Sequence, residues 1–116
     1  MDNEKVFAMS FAKVYPMLIA KAERKGRTRA EVLEVTSWLT GDTPGQIEAL
    51  LESDTAYGDF FRRAPALNPN RTLIKGSICG IKVELIEDPL MQNIRYLDKL
   101  VDELAKGKAM DKILRK

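Results

Sequence analysis

The spacing of apolar positions changes along this chain, and the predicted elements follow from where it changes. Leu90, Ile94, Leu97, Val101 and Leu104 recur at 4-3-4-3 spacing, and Leu100 broadens the stripe. That is one face of a long amphipathic helix. Asp88 stands where a cap belongs, Pro89 fits the first turn, and Lys106-Gly107 closes the run. Upstream the period is two. Residues 73–78 and 81–86 are β-rich, with Ile81, Val83 and Leu85 on one face and Lys82 and Glu84 on the other. Cys79-Gly80 between them predicts a two-residue hairpin turn. One bent strand with bulges at Gly76 and Gly80 is the alternative.

The first half of the chain reads as short helices with marked ends. Pro16 suits a helix start, and a helix over about 16–25 would present Leu18, Ile19 and Ala22 before Gly26 stops it. Residues 6–15 fit either a separate helical turn or a short strand. Thr28 to Glu31 has capping-box spacing ahead of Val32, Val35, Trp38 and Leu39, and Gly41 ends that helix. Thr43-Pro44-Gly45-Gln46 repeats the start signal before Ile47, Leu50 and Leu51. A turn or helix over about 54–63 offers Tyr57, Phe60 and Phe61, and Asn68-Pro69-Asn70 is a loop signal. A last amphipathic turn over 109–115 carries Met110, Ile113 and Leu114. The expected fold is a single α+β domain over residues 1–116, mostly helical. It has several short helices, a small antiparallel β-hairpin, and a long C-terminal helix packed against it.

Composition narrows the chemistry. The 116 residues include 19 basic and 17 acidic ones and no histidine. Without histidine there is no Ser-His or Cys-His activation and none of the usual zinc patterns. The balance is therefore against an enzyme, and no cofactor is implied. Near-neutral charge gives no global attraction to nucleic acid or anionic membrane. No stretch reaches the roughly 18 apolar residues of a membrane span, and the N-terminus does not read as a secretion signal. The lone Cys79 cannot form an internal disulfide, which fits the cytoplasm.

Five groupings could carry function. Asn68, Asn70 and Arg71 form a polar loop that could accept an anion. Arg95 and Tyr96, early in the long helix, could complete a pocket between residues 68–71 and 89–105. Turn chemistry alone also explains both asparagines. Lys21, Arg24, Lys25, Arg27 and Arg29 are the densest basic patch and span a helix–turn–helix outline, so nucleic acid is one conceivable partner. Glu31 and Glu34 open the second helix and would meet phosphates badly, so a solvated basic edge is the better account. Cys79 in a turn could be a reactive thiol or merely a half-buried one. Glu84, Glu87 and Asp88 are close in sequence. Glu84 and Glu87 point to opposite faces if the strand continues, and Asp88 reads better as a cap, so no metal site is expected. The 90–104 stripe could cover the hairpin or mediate a homodimer.

The strings KVYPMLIAKAERKGRT, SWLTG and FFRRAPALNPNRTLIKGSICGIKVELIEDPLMQNIRYLDKLVDELAKGKAMDKILRK resemble a bacterial family known as domain of unknown function 2200. Residues 86–108 are its most distinctive part, and 42–57 the weakest. The resemblance implies a small bacterial cytoplasmic protein with no assigned activity, and it brings no catalytic residues. The leading expectation is a non-catalytic binding or interaction module. A small-molecule binder or small enzyme, and a nucleic-acid binder, are the alternatives.

Overall fold

In the computed structural model, which describes residues 3–116, the chain wraps around one helix, α6 (Pro89–Ala105). Ile94, Leu97, Leu100, Val101 and Leu104 of α6 are all buried. The long stripe is thus consumed inside the chain. Asp88 caps the helix as its sequence position suggested, accepting from the Leu90 and Met91 backbone N–H groups at 2.9 and 3.1 Å.

Against α6 lie α2 (Phe11–Glu23) and α3 (Arg29–Thr40), preceded by α1 (Asn3–Ala8). After them come α4 (Pro44–Ala49), α5 (Tyr57–Arg62) and, beyond α6, the terminal α7 (Met110–Ile113). Both expected capping boxes form. Thr28 and Glu31 exchange bonds at the head of α3, and Thr43 and Gln46 do so at the head of α4. Tyr57, Phe60 and Phe61 are buried as expected, and Phe11 lies 4.6 Å from Phe60 and 4.9 Å from Tyr15, ring centre to ring centre.

Two expectations need correction. Pro16 does not begin a helix; it lies inside α2, which starts five residues earlier. Residues 6–15 are helical, apart from a break at Met9-Ser10 that separates α1 from α2. An isolated bridge between Ser10 and Ala56 fixes the break, with Phe11 N–H donating to Thr55 C=O at 3.0 Å. A proline within a helix forfeits one backbone bond and costs about 3 kcal/mol. Complete burial of Phe11 and Tyr15 on the same helix offsets that loss.

The second correction concerns the hairpin. It exists, but its strands β1 (Ser77–Ile78) and β2 (Ile81–Lys82) hold two residues each, with Ser77 opposite Lys82 and Ile78 opposite Ile81. Cys79 and Gly80, at φ 53° and 78°, make the two-residue turn. The flanking residues form 3₁₀ turns, Pro69–Leu73 and Val83–Leu85. Alternation therefore fails after β2. Val83 is buried, whereas Ile81 is 50 % and Leu85 69 % exposed. Local bonds explain it. Val83 N–H donates to Gly76 C=O, Gln92 donates to Val83 C=O, and Gly76 N–H donates to the Glu84 carboxylate, all at 3.0–3.1 Å. These bonds pull Val83 inward and turn its neighbours out.

Candidate functional site

The first half of α6 forms one wall of a cleft of about 460 Å³, with Ile94, Arg95 and Asp98 contributed by that helix. Val6 and Met9 come from the α1 end, Val14 from α2, Tyr57 from α5, and Cys79 and Ile81 from the hairpin. A site of this size and character, apolar with a few polar groups, is of the kind small molecules occupy.

Its polar groups are unusual in one respect. Tyr57 is 2 % exposed, and its hydroxyl has no hydrogen-bond partner. The ring is fixed by Phe61, edge-on at 5.1 Å, and by Phe11 at 6.1 Å. Burial first, then the nearby Asp98 charge, pushes the phenol well above its ordinary range, so it stays protonated. Tyr15, the other deeply buried tyrosine in this region, differs. Its hydroxyl lies 2.7 Å from Thr36 Oγ1, and burial raises it to about 12. Buried hydroxyls ordinarily find partners. Among the described residues, one Asp42 carboxylate oxygen at the α3–α4 turn is the other buried side-chain atom left without one.

Beside Tyr57, Arg95 Nη1 donates to Asp98 Oδ2 at 2.7 Å. Both side chains are about four-fifths buried. Burial pushes the Asp98 carboxyl up, and the Arg95 bond pulls against that shift. Asp98 sits three residues after Arg95, so the pair closes along one helix face. The cleft floor is therefore polar but carries one charge of each sign.

The residues singled out from sequence fall into two places. Arg71, Asn68 and Asn70 tie the chain together. Arg71 Nε donates to Asn93 Oδ1 at 3.2 Å and its Nη1 to Asn68 C=O at 2.9 Å. Asn68 Oδ1 accepts from the Asn70 backbone, and Asn70 Nδ2 donates to Arg115 C=O at 3.4 Å. Tyr96 is buried within electrostatic reach of Arg71. Arg95 alone of this group lines the cleft, because successive helix positions point about 100° apart.

The basic segment is also largely engaged. Lys21 pairs with Asp102 at 3.3 Å and Arg29 with Glu48 at 3.1 Å. Arg27 forks onto Glu31 and donates to the Leu104 and Lys108 carbonyls at 3.2 and 2.7 Å, capping the end of α6. Arg24 and Lys25 are exposed. Glu84 and Asp88 are occupied by the hairpin base and the helix cap. Cys79 is exposed at the cleft rim.

Sequence reading placed Tyr57 in the core and did not single out Asp98. The spacing of Arg95 and Asp98 was a usable signal. A second groove, about 490 Å³, runs between α3, α4 and Leu114, lined by Leu33, Trp38 and Pro44. No lining residue there has a buried side-chain polar atom without a partner. No described helix is long and apolar enough to cross a membrane.

No curated protein matches the chain. The crystal structure of uncharacterized protein SP1917 superimposes with a TM-score of 0.93 at 54 % identity, over 98 % of this chain and 93 % of that one. The family model described as "Uncharacterized protein conserved in bacteria (DUF2200)" matches residues 5–115, and the chain belongs to that family.

Proposed function

We propose that this protein is a non-catalytic binding module whose site is the cleft between α1, α2, α5, the hairpin and α6. The unpaired Tyr57 hydroxyl carries the reading. A fold that satisfies Tyr15 leaves the Tyr57 hydroxyl buried and unpaired on a residue that lines the cleft, and an unmet buried hydroxyl costs stability that a ligand reaching it restores. The reading moves the pocket expected between residues 68–71 and α6 to the neighbouring face, keeping Arg95. It favours binding over turnover, because the cleft holds no histidine and its carboxylate is already paired. An exposed, unpaired Cys79 supports a reducing cytoplasmic setting.

Native mass spectrometry of gently purified, untagged protein tests this. The expected result is an added small-molecule mass on the wild type that is missing from Val14→Trp, which fills the cleft. An adduct kept by Val14→Trp would put the site elsewhere, and bare chains in both would count against a resident ligand.

A second reading, self-association, rests on the exposed Met9, Ile81 and Leu85. It needs the hairpin side, since the α6 stripe is buried within the chain.

A further inference from the structure

We infer, granting that the cleft is a binding site, that it selects an uncharged, mostly apolar small molecule bearing one hydrogen-bonding carbonyl or amide group seated at Tyr57. Three observations converge on this. The walls are aliphatic: Val6, Val14, Ile81 and Ile94, with Met9 as an adaptable edge. Among the lining residues the one buried side-chain polar atom without a partner is the Tyr57 hydroxyl, which can donate one bond and accept another. The charges of the floor already cancel, because Arg95 and Asp98 are joined at 2.7 Å.

The third point decides the charge of the ligand. A carboxylate could use the Arg95 donors that Asp98 leaves free, but it would set a second anion beside a largely buried acid. An ammonium group on the free Asp98 acceptor sites would likewise set a second cation beside the Arg95 guanidinium. Either ion gives up its hydration against a pair whose charge is already balanced, which is costly. A neutral carbonyl disturbs neither. It accepts from the Tyr57 O–H and leaves its apolar body on the aliphatic walls. Burial keeps that phenol protonated, so the donor is present at any ordinary pH. An amide N–H could also give its proton to the Tyr57 oxygen or to the remaining Asp98 acceptor sites.

Four probes sharing one ring separate these cases: benzamide, benzoate, benzylammonium and toluene. Each is titrated into the isotopically labelled protein at neutral pH, and the shifts of backbone amides around Tyr57, Ile94 and Asp98 are followed. Benzamide should bind tightest, at least about fivefold tighter than either ion. Tyr57→Phe should weaken benzamide about fivefold, the worth of one hydrogen bond, and leave toluene unchanged. Tightest binding by benzoate or benzylammonium would overturn the neutral-ligand inference while leaving the cleft a binding site. Benzamide binding that ignores Tyr57→Phe would overturn the role of the hydroxyl. No cleft shifts with any probe would defeat the inference and the binding reading together.

Discussion

The two halves of α6 are built to different standards. At its C-terminal end nearly every charge has a partner. Glu103, 6 % exposed, is gripped by the Arg115 fork at 2.5 and 2.7 Å, with Lys108 at 3.5 Å. Asp102 meets Lys21, Lys99 and Lys106. Arg27 closes the last carbonyls. At the N-terminal half the cleft holds an unpaired hydroxyl, one closed ion pair, and a rim where Met9 and Ile81 stand in solvent. One helix thus carries a clamped end that fixes the fold and an open end with unmet bonding capacity. Sites that bind commonly hold such local shortfalls, and the rest of the chain supplies the stability they forgo.

The largest effect should come from breaking the clamp. Arg115→Ala strips the buried Glu103 of its bidentate partner and frees the C-terminal tail. A loss of about 3 kcal/mol is expected, the usual cost of stranding a buried carboxylate. Urea unfolding measures it. A loss below about 0.5 kcal/mol would mean that the pair behaves as a solvated surface bridge, and the contrast between the two halves would fail.

Acid should weaken the same end by a smaller amount. The Arg27 guanidinium, bonded to Glu31, holds that carboxyl down to about 2 from its ordinary 4.5, helped by the Thr28 backbone N–H. A carboxyl lowered in the folded state stabilises fully above the unfolded value. That contribution is lost as pH falls from about 4.5 toward 2. The Glu31 side chain is 28 % exposed, so solvent screening reduces the effect to about 1 kcal/mol. Glu31→Gln should remove it. The stability gap between wild type and variant should be widest near pH 6 and close by pH 2. A gap that stays constant over that range would show that the ion pair is not what Glu31 contributes.

Sequence discloses the parts of this fold unequally. The helices and their starts were largely legible, whereas the clamp was not, because Lys21–Asp102, Arg27–Leu104 and Glu103–Arg115 join residues 12 to 81 positions apart. The α6 stripe, the Asp88 cap and both capping boxes are local patterns whose partners lie within four residues. The hairpin was legible at its turn and not in its extent. Alternation over 81–85 reads as strand, but the bonds that end it come from Gly76 and Gln92, which no local pattern announces. Pro16 misled for the same reason. Its helix is held by an aromatic contact and a bridge to Ala56, forty residues and more away. The cleft was least visible. Arg95 was singled out with the wrong neighbours, because Arg71 turns to Asn93 instead. Tyr57 reads as one more core aromatic, since an absent partner leaves no mark in a sequence.

The sharpest test of the contrast is therefore the removal of one oxygen. Deleting a hydroxyl that makes a good bond ordinarily destabilises a protein. Deleting one that is buried and unmet removes a desolvation cost and keeps the ring packing. Tyr57→Phe leaves the contacts with Phe11 and Phe61 in place, so ligand-free protein should gain up to about 1 kcal/mol. Tyr15→Phe, by contrast, removes a 2.7 Å contact to Thr36 and should lose about 1 kcal/mol. Paired thermal or urea unfolding of the two variants reads opposite signs from the same chemical change. If both lose stability, Tyr57 has a partner in solution and the open half is closed after all. If Tyr57→Phe gains, the fold tolerates a hydroxyl that its own stability does not need, and a ligand is the natural account of why that oxygen is there.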